Sequence, residues 1–395
     1  MIVDRDTLDV RPIADQLLEA EAGQLTGDAE HPDITWSNEL VNHVIELKVT
    51  EPARDLTALV EQFDEHVRRV NDRLEPLGAR LMGSAMHPWM DPHKEMVIWP
   101  HESSDIYRTF DRIFDCRGHG WANLQASHIN LPFLGDEQFG RLHAAIRLVL
   151  PILPALAAAS PFVGGRVTGL LDNRLSVYRT NCAKVPQCAG QVIPEPIFSI
   201  DEYHAKILDP LYAALAEHDP QGVLRDEWAN ARGAIARFSR GTIEIRLLDV
   251  QECPAGDLAI AAATTAAARM LVEETSSTFA AQQSMPTDAL AAILDSTIRA
   301  ADAAVIEDAN YVRLWGLSGS ACSAGQVWEH ITAETRRHDP RLTAGFDRQL
   351  DMILEHGPLA RRMLRAAGHS PTRARLAEIG RRLCDALAAG GMFLG

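Results

Sequence analysis

Residues 240–249 read RGTIEIRLLD, and the alternation within them decides the fold. Side chains alternate across a strand, so Thr242, Glu244, Arg246 and Leu248 are expected on one face. Ile243, Ile245 and Leu247 take the other face and can lie against a core. β-Branched residues at 242, 243 and 245 favour the extended chain. One short strand then presents a carboxylate and a guanidinium to the same space. Two readings stand at this point. The pair lies on the solvated outer face of an antiparallel sheet, where such pairs contribute little, or it belongs to a working surface.

The whole chain narrows the choice. Its 395 residues allow two or three domains or one large α/β or α+β unit. A hydrophobic content of 46% with 23% charged residues predicts a soluble protein with a sizeable core. The net charge of −16 excludes the basic footprint of a nucleic-acid binder. A phosphorylated ligand would need local arginines instead. Six cysteines without a CxxC pair fit reduced, structural thiols in the cytoplasm. MIVDRDTLDV at the start lacks the pattern of a signal peptide. The apolar run from Leu148 holds Pro151, Pro154 and Pro161, which predicts a buried, kinked helix and no membrane span.

Along the chain, helices are expected over 11–24, 53–78, 136–160 and 203–217. A helical start behind Ser37 should give way to a strand through VIELKVT (44–50). Further strands are expected at 79–87, at 121–133 ending on Pro132, and as a pair near 234–250. Residues 161–200 are rich in Gly, Pro and Asn and form a long irregular segment of the kind that lines active sites. From Asp257 onward the pattern is almost wholly helical. The final GGMFLG either tucks against the body or frays. No repeat or linker divides the chain. The expected fold is α+β: an antiparallel sheet with a concave face, covered by helices, in a single unit 1–395 with a sheet-containing part (1–255) and a helical part (256–395).

Three polar settings resemble one another. Glu46 interrupts an apolar strand, His128 and Asn130 share one face of SHINLPF, and Glu244 and Arg246 share one face of TIEIRLLD. Carboxylates with a neutral imidazole suit a divalent ion, and an adjacent Arg suits phosphate or carboxylate. Together they suggest a polar groove over a sheet. The chain has no GxxxxGK[ST], HExxH or GxSxG, so P-loop, zincin and α/β-hydrolase mechanisms lack their parts. His87 and His93 flank a Pro-rich loop and read as surface residues. The Arg-rich stretch ARRMLRAAGHSPTRARLAEIGRR (360–382) reads as the solvated face of two helices.

Five stretches carry a resemblance: NELVNHVIELKVTEP (38–52), GSAMHPW (83–89), NLQASHINLPF (123–133), SPFVGGRVTGLLDNR (160–174) and EWANARGAIARFSRGTIEIRLLDVQECP (227–254). In this order they resemble glutamate–cysteine ligase family 2, the carboxylate–amine ligases related in fold to glutamine synthetase. The resemblance implies an ATP-dependent ligation with Mg²⁺, in which a substrate carboxylate takes the γ-phosphoryl group and an amine attacks the acyl phosphate. By position, Glu46, Glu244 and Glu39 match metal-binding carboxylates. His128 matches a histidine at the metal and phosphate site, and Arg246 matches an arginine that offsets charge on the moving phosphoryl group. Arg232, Arg237 and Arg240 would hold phosphate or carboxylate, and Arg166 and Arg174 would contact substrate. The implied partners are small amino-acid substrates, with homo-oligomerisation left open. The family opens on a strand of the form G-x-E-x-E, whereas MIVDRDTLDV resembles the segment just after that strand. The expectation is that such a strand is encoded ahead of Met1 and that the 395-residue form is a poor catalyst. The competing reading is a non-catalytic nucleotide- or amino-acid-binding member. A metal-dependent hydrolase would leave Arg246 without a role.

Overall fold

A computed structural model describes residues 1–395. Its strands, in chain order, are β1 (Ile2–Asp4), β2 (Asp28–Ala29), β3 (Ile34–Asn38), β4 (Ile45–Val49), β5 (Ala79–Leu81) and β6 (Ala126–Pro132), then β7 (Phe162–Val163), β8 (Arg166–Val167), β9 (Ala234–Arg237), β10 (Thr242–Asp249), β11 (Val305–Ile306) and β12 (Cys322–Ser323). Helices supply the rest of the regular structure and dominate the last third, so the fold is α+β. The β-structure is not one sheet. It divides into two three-stranded sheets, ordered β2-β3-β4 and β6-β10-β9, and three two-stranded pairs, all antiparallel.

The helical start expected behind Ser37 does not form: Ser37 and Asn38 end β3, and residues 39–44 turn into β4. Ile34 and Trp36 alternate into a core with Leu47 and Val49 of the neighbouring strand. The Ser37 hydroxyl, which a helix would have used as a cap, donates instead to Asp28 across the sheet. The expected helix after residue 53 forms as Leu56–Leu74, capped by the Asp55 carboxylate, which accepts from Thr57 N at 2.9 Å. The strand near residue 79 is only three residues long. The apolar run from Leu148 is buried, and its helix, Gly135–Val149, tightens at Pro151 and resumes at Pro154–Ala157. In the C-terminal third, β11 and β12 interrupt the expected run of helices.

The largest apolar cluster, 60 buried residues, runs from the core faces of β9 and β10 through Gly135–Val149 and Pro254–Val272 to Ile353. It thus joins the sheet-containing and helical parts. Pro254–Val272 is the one helix long and apolar enough to cross a membrane, and most of it is buried inside the protein. The tail tucks in: Phe393 is buried, its N–H donates to Glu252 at 3.0 Å, and its carbonyl accepts from Arg362. Arg362 and Glu252 form an ion pair with no side-chain exposure. One arginine of the 360–382 stretch is therefore a core residue and not part of a solvated face. His87 is likewise buried, because its ring organises the loop around it.

Candidate active site

Strand β10 is the floor of the site. Glu244 lies opposite Asn130 of β6 and Ile235 of β9, and Thr242 opposite Arg237. Residues directly opposite share a face, so Arg237, Thr242, Glu244, Arg246, Asn130 and His128 form one polar surface. Ile243, Ile245 and Leu247 pack into the main core beneath it. The register slips by one residue between Ile245 and Leu248, so that Arg246 and Leu247 together face His128. This is a β-bulge, and it re-aims side chains locally. Leu248, expected on the polar face, is turned by the bulge into the core, where it is 2% exposed. Gly233 makes room at this point. Its carbonyl accepts from Arg246 N at 2.9 Å, and a Cβ on it would stand 2.7 Å from Leu247 Cδ1.

The Glu244–Arg246 pair is not a solvated surface pair. The Glu244 side chain is only 5% exposed. Its Oε1 lies 2.9 Å from Arg246 Nε in an ion pair, and its Oε2 accepts a hydrogen bond from Arg237 Nη1 at 2.9 Å. His128 Nδ1 lies 3.6 Å from Oε1. Burial opposes the Glu244 charge, but Arg246, His128 and Arg237 outweigh it and hold its pKa below the usual range. Arg246 also donates to the Asn230 carbonyl at 3.0 Å and lies beside Tyr178. Burial, then the Arg246 charge, pushes the His128 pKa down to about 4, so the imidazole is neutral.

The second polar surface comes from the other three-stranded sheet. Glu46 faces Ser37 across β3 and β4, and Lys48 on the same face stands 3.8 Å from Glu46 and 3.3 Å from Asp28. Glu39 follows the end of β3. These groups meet those of β10 across a cleft. Glu46 lies close enough to Glu244 and Arg240 for their charges to act on it, and Glu39 feels both Glu46 and Arg246. Burial, then Glu46, pushes the Glu39 pKa up to about 7. Burial also raises that of Glu46, with Lys48 offsetting part of the effect. Glu46 nevertheless retains 38% exposure and His128 35%, so the cleft opens to solvent.

The structure thus brings Glu39, Glu46, His128, Glu244, Arg246, Arg237 and Arg240 together, although on two sheets. Of the other three arginines, two lie elsewhere and one lies beneath the site. Arg232 is buried and holds Glu195 through two bonds of 2.6 and 2.7 Å and the Gln187 carbonyl at 3.0 Å, so it anchors a loop. Arg174 is buried against Asp249 beneath the bulge, near the Arg246 carbonyl and close enough for its charge to act on His128. Arg166 is exposed on the β7–β8 hairpin. Residues not foreseen include Tyr178, which lies beside Arg246, and Tyr107, which accepts from Asn38 at 3.0 Å and lies beside Glu39 and Glu46. Tyr178 is the one tyrosine in the irregular 161–200 segment, and that was its only signal.

A divalent ion suits part of this donor set. Glu39 and Glu46 are crowded carboxylates whose ionisation is opposed in the absence of a cation, as a hard-cation site requires. Both oxygens of Glu244 are already covered by guanidinium groups, so it would reach a metal only by exchanging one. No three His, Cys, Asp or Glu side chains form a ready ligand cluster anywhere in the chain.

Comparisons with known proteins agree on the lineage. An uncharacterized protein of Archaeoglobus fulgidus is 36% identical over 288 residues, 73% of this chain and 74% of the relative. A Rubrobacter xylanophilus protein named "Putative glutamate--cysteine ligase 2-3" is 30% identical over 274 residues, 66% of this chain and 64% of its own length. A "Putative glutamate--cysteine ligase 2" of Leifsonia xyli subsp. xyli is 28% identical over 45% of this chain and 44% of its own. The match therefore spans less than two thirds of the relatives that carry a ligase name. Residues 2–377 match the family model for glutamate–cysteine ligase family 2, and the chain belongs to that family.

Proposed function

We propose that the protein is a cytoplasmic, ATP-dependent carboxylate–amine ligase that uses Mg²⁺. The observation that carries this reading is the pairing, across one solvent-open cleft, of a carboxylate pole (Glu39, Glu46) with a guanidinium pole (Arg246, Arg237, Arg240). In the proposed reaction a substrate carboxylate oxygen bonds to the γ-phosphorus of ATP, and the bond to the departing ADP breaks. The amine nitrogen then attacks the acyl carbon, phosphate leaves with its oxygen, and the nitrogen loses a proton to give the amide.

Each residue has a task in that scheme. Glu39 and Glu46 would hold a divalent ion, whose chemistry is to neutralise triphosphate charge. Arg246 is fixed by Glu244 and the Asn230 carbonyl, so it offers a guanidinium that needs no reorganisation as charge develops. Arg240 and Arg237 stand where phosphate oxygens could be gripped. Neutral His128 can donate or accept a hydrogen bond without adding charge.

The absence of a ready three-ligand cluster favours a second reading, a non-catalytic nucleotide-binding member. One experiment separates the two. Calorimetry with ATP, with and without Mg²⁺, is paired with ADP release across a panel of amino-acid pairs. The ligase reading expects Mg²⁺-dependent binding, weakened in Arg246→Ala, and ADP release that requires both amino acids. Metal-independent binding of equal strength with no ADP release would establish the second reading.

A further inference from the structure

Away from the cleft, three distant segments line an open pocket of about 520 Å³ that shares no lining residue with it. The GSAMHPW stretch builds one side. Neutral His87, its pKa lowered by burial to about 4, accepts at Nδ1 from Met90 N at 3.0 Å and donates from Nε2 to the Leu8 carbonyl at 2.7 Å. This fixes the turn that presents Trp89. The Trp89 indole N–H donates to Asp9 at 3.0 Å, and Arg373 lies 4.1 Å from the ring centroid while also pairing with Asp9 at 2.6 Å. The Arg373 guanidinium is thus held over an aromatic wall, with the Asp9 bond engaging one of its nitrogens.

Another part of the lining comes from His119, His93 and Asp91, which are close enough for their charges to act on one another. The tautomer of His119 is determined by its neighbour. Asn123 accepts from His87 N at 2.6 Å and donates to the His87 carbonyl at 3.0 Å, which fixes which end of its amide carries hydrogen. The same NH₂ group then donates to His119 Nδ1 at 3.1 Å. His119 therefore carries its proton on Nε2 and offers a donor, which suits an oxyanion and not a metal ion. The third segment is the Gly164–Gly165 turn, pinned by Gly165 N to the Pro88 carbonyl at 2.8 Å.

Donors at Arg373 and His119, the half-exposed Asp91 carboxylate, which also pairs with Lys94 at 2.7 Å and accepts from His93 N at 3.2 Å, and an aromatic wall form a set matched to a zwitterion. We propose that this pocket is a second small-molecule site that takes an α-amino acid or short peptide by its backbone charges: the carboxylate at Arg373 and His119, the ammonium at Asp91. The inference does not depend on the ligase reading, since no cleft residue takes part. The 160–178 segment nevertheless connects the two places. It carries the Gly164–Gly165 turn at one end, and at the other Arg174, which pairs with Asp249 of β10, and Tyr178, which lies beside Arg246.

The test is titration of the full-length protein with L-amino acids and dipeptides, monitored by tryptophan fluorescence and calorimetry. Trp89→Phe identifies the reporting residue among the seven tryptophans. Amines lacking the carboxylate, hydroxy acids lacking the ammonium, and inorganic phosphate are run alongside. The expected result is a saturable change with the zwitterion that is lost in Trp89→Phe. Binding should weaken about tenfold or more in Arg373→Gln and in Asp91→Asn, and persist in the cleft variant Arg246→Ala. Arg373 and Asp91 are both partly exposed, so both variants should keep the wild-type circular dichroism and melting curve. Binding that survives Arg373→Gln, or that is lost in Arg246→Ala and kept in Trp89→Phe, overturns the proposal. So does phosphate binding of equal strength that ignores Asp91→Asn.

Discussion

Removing one charge from each of two carboxylates in the same cleft should change stability in opposite directions. In Glu244→Gln the amide keeps an acceptor for one guanidinium, but Arg237 and Arg246 lose their shared counter-charge. Breaking a fully buried pair costs about 3–5 kcal/mol. Arg237 and Arg246 keep 12% and 20% exposure, so solvent relieves part of the loss. The expected cost is about 2–3 kcal/mol. In Glu46→Gln the charge removed is one that Glu39 opposes. Glu39 titrates near 7 against an ordinary value of 4.5, and Glu46 supplies the second-largest part of that rise after burial. At 1.36 kcal/mol per unit, relief of this part returns about 1 kcal/mol near neutral pH. The assay is urea unfolding monitored by circular dichroism near pH 7.5 without divalent ions, comparing midpoints at equal slope. The Glu244 variant should unfold at lower urea than the parent and the Glu46 variant at equal or higher urea. Adding Mg²⁺ should stabilise the parent by mass action and leave Glu46→Gln nearly unmoved. Midpoints that both fall by similar amounts would refute the assignment of one carboxylate to guanidinium support and the other to a cation site.

Glu39 binds its proton more tightly folded than unfolded, so its contribution is complete below pH 4.5 and is lost as the pH rises through about 7. That loss amounts to about 3 kcal/mol, and stability measured from pH 5 to 7.5 should fall less steeply in Glu39→Gln. Buried His43 and His87 titrate near 4 instead of 6.5, so each contributes stability present above pH 6.5 and lost as the pH falls through 4. Denaturation midpoints should therefore drop below pH 6.5, with a shallower acid limb in His87→Gln. Arg362→Met strands Glu252 in the core and frees the Phe393 tail, a cost of about 3–5 kcal/mol that should appear as a lowered unfolding midpoint and tryptic release of the C-terminal residues. Gly233→Ala crowds Leu247 at the bulge, so it should cost about 1–3 kcal/mol and weaken Mg-ATP binding by misplacing Arg246.

The parts of this site that could be read from the sequence are those set by local periodicity. A two-residue repeat predicts that Glu244 and Arg246 share a face, and that His128 and Asn130 share another, whatever the strands pair with. The bulge could not be read this way, because the extra residue exists only relative to β6, more than a hundred positions earlier in the chain. Leu248 was misplaced for that reason alone. The division into small sheets escaped for a similar reason: strand patterns show which segments extend, and not which edges find one another. The arginines make the point most sharply. Arg232, Arg174 and Arg362 look in sequence like Arg237 and Arg246, yet each is buried on a carboxylate, Glu195, Asp249 or Glu252, that lies 37, 75 or 110 residues away. A guanidinium is free for a ligand only where its acidic partner leaves donors uncovered. Arg246 meets that condition in a particular way. Glu244 and the Asn230 carbonyl hold it from its own sheet, while the carboxylates across the cleft act on it at longer range. What makes it a candidate for chemistry is therefore the facing of two sheets, and no window of sequence contains both.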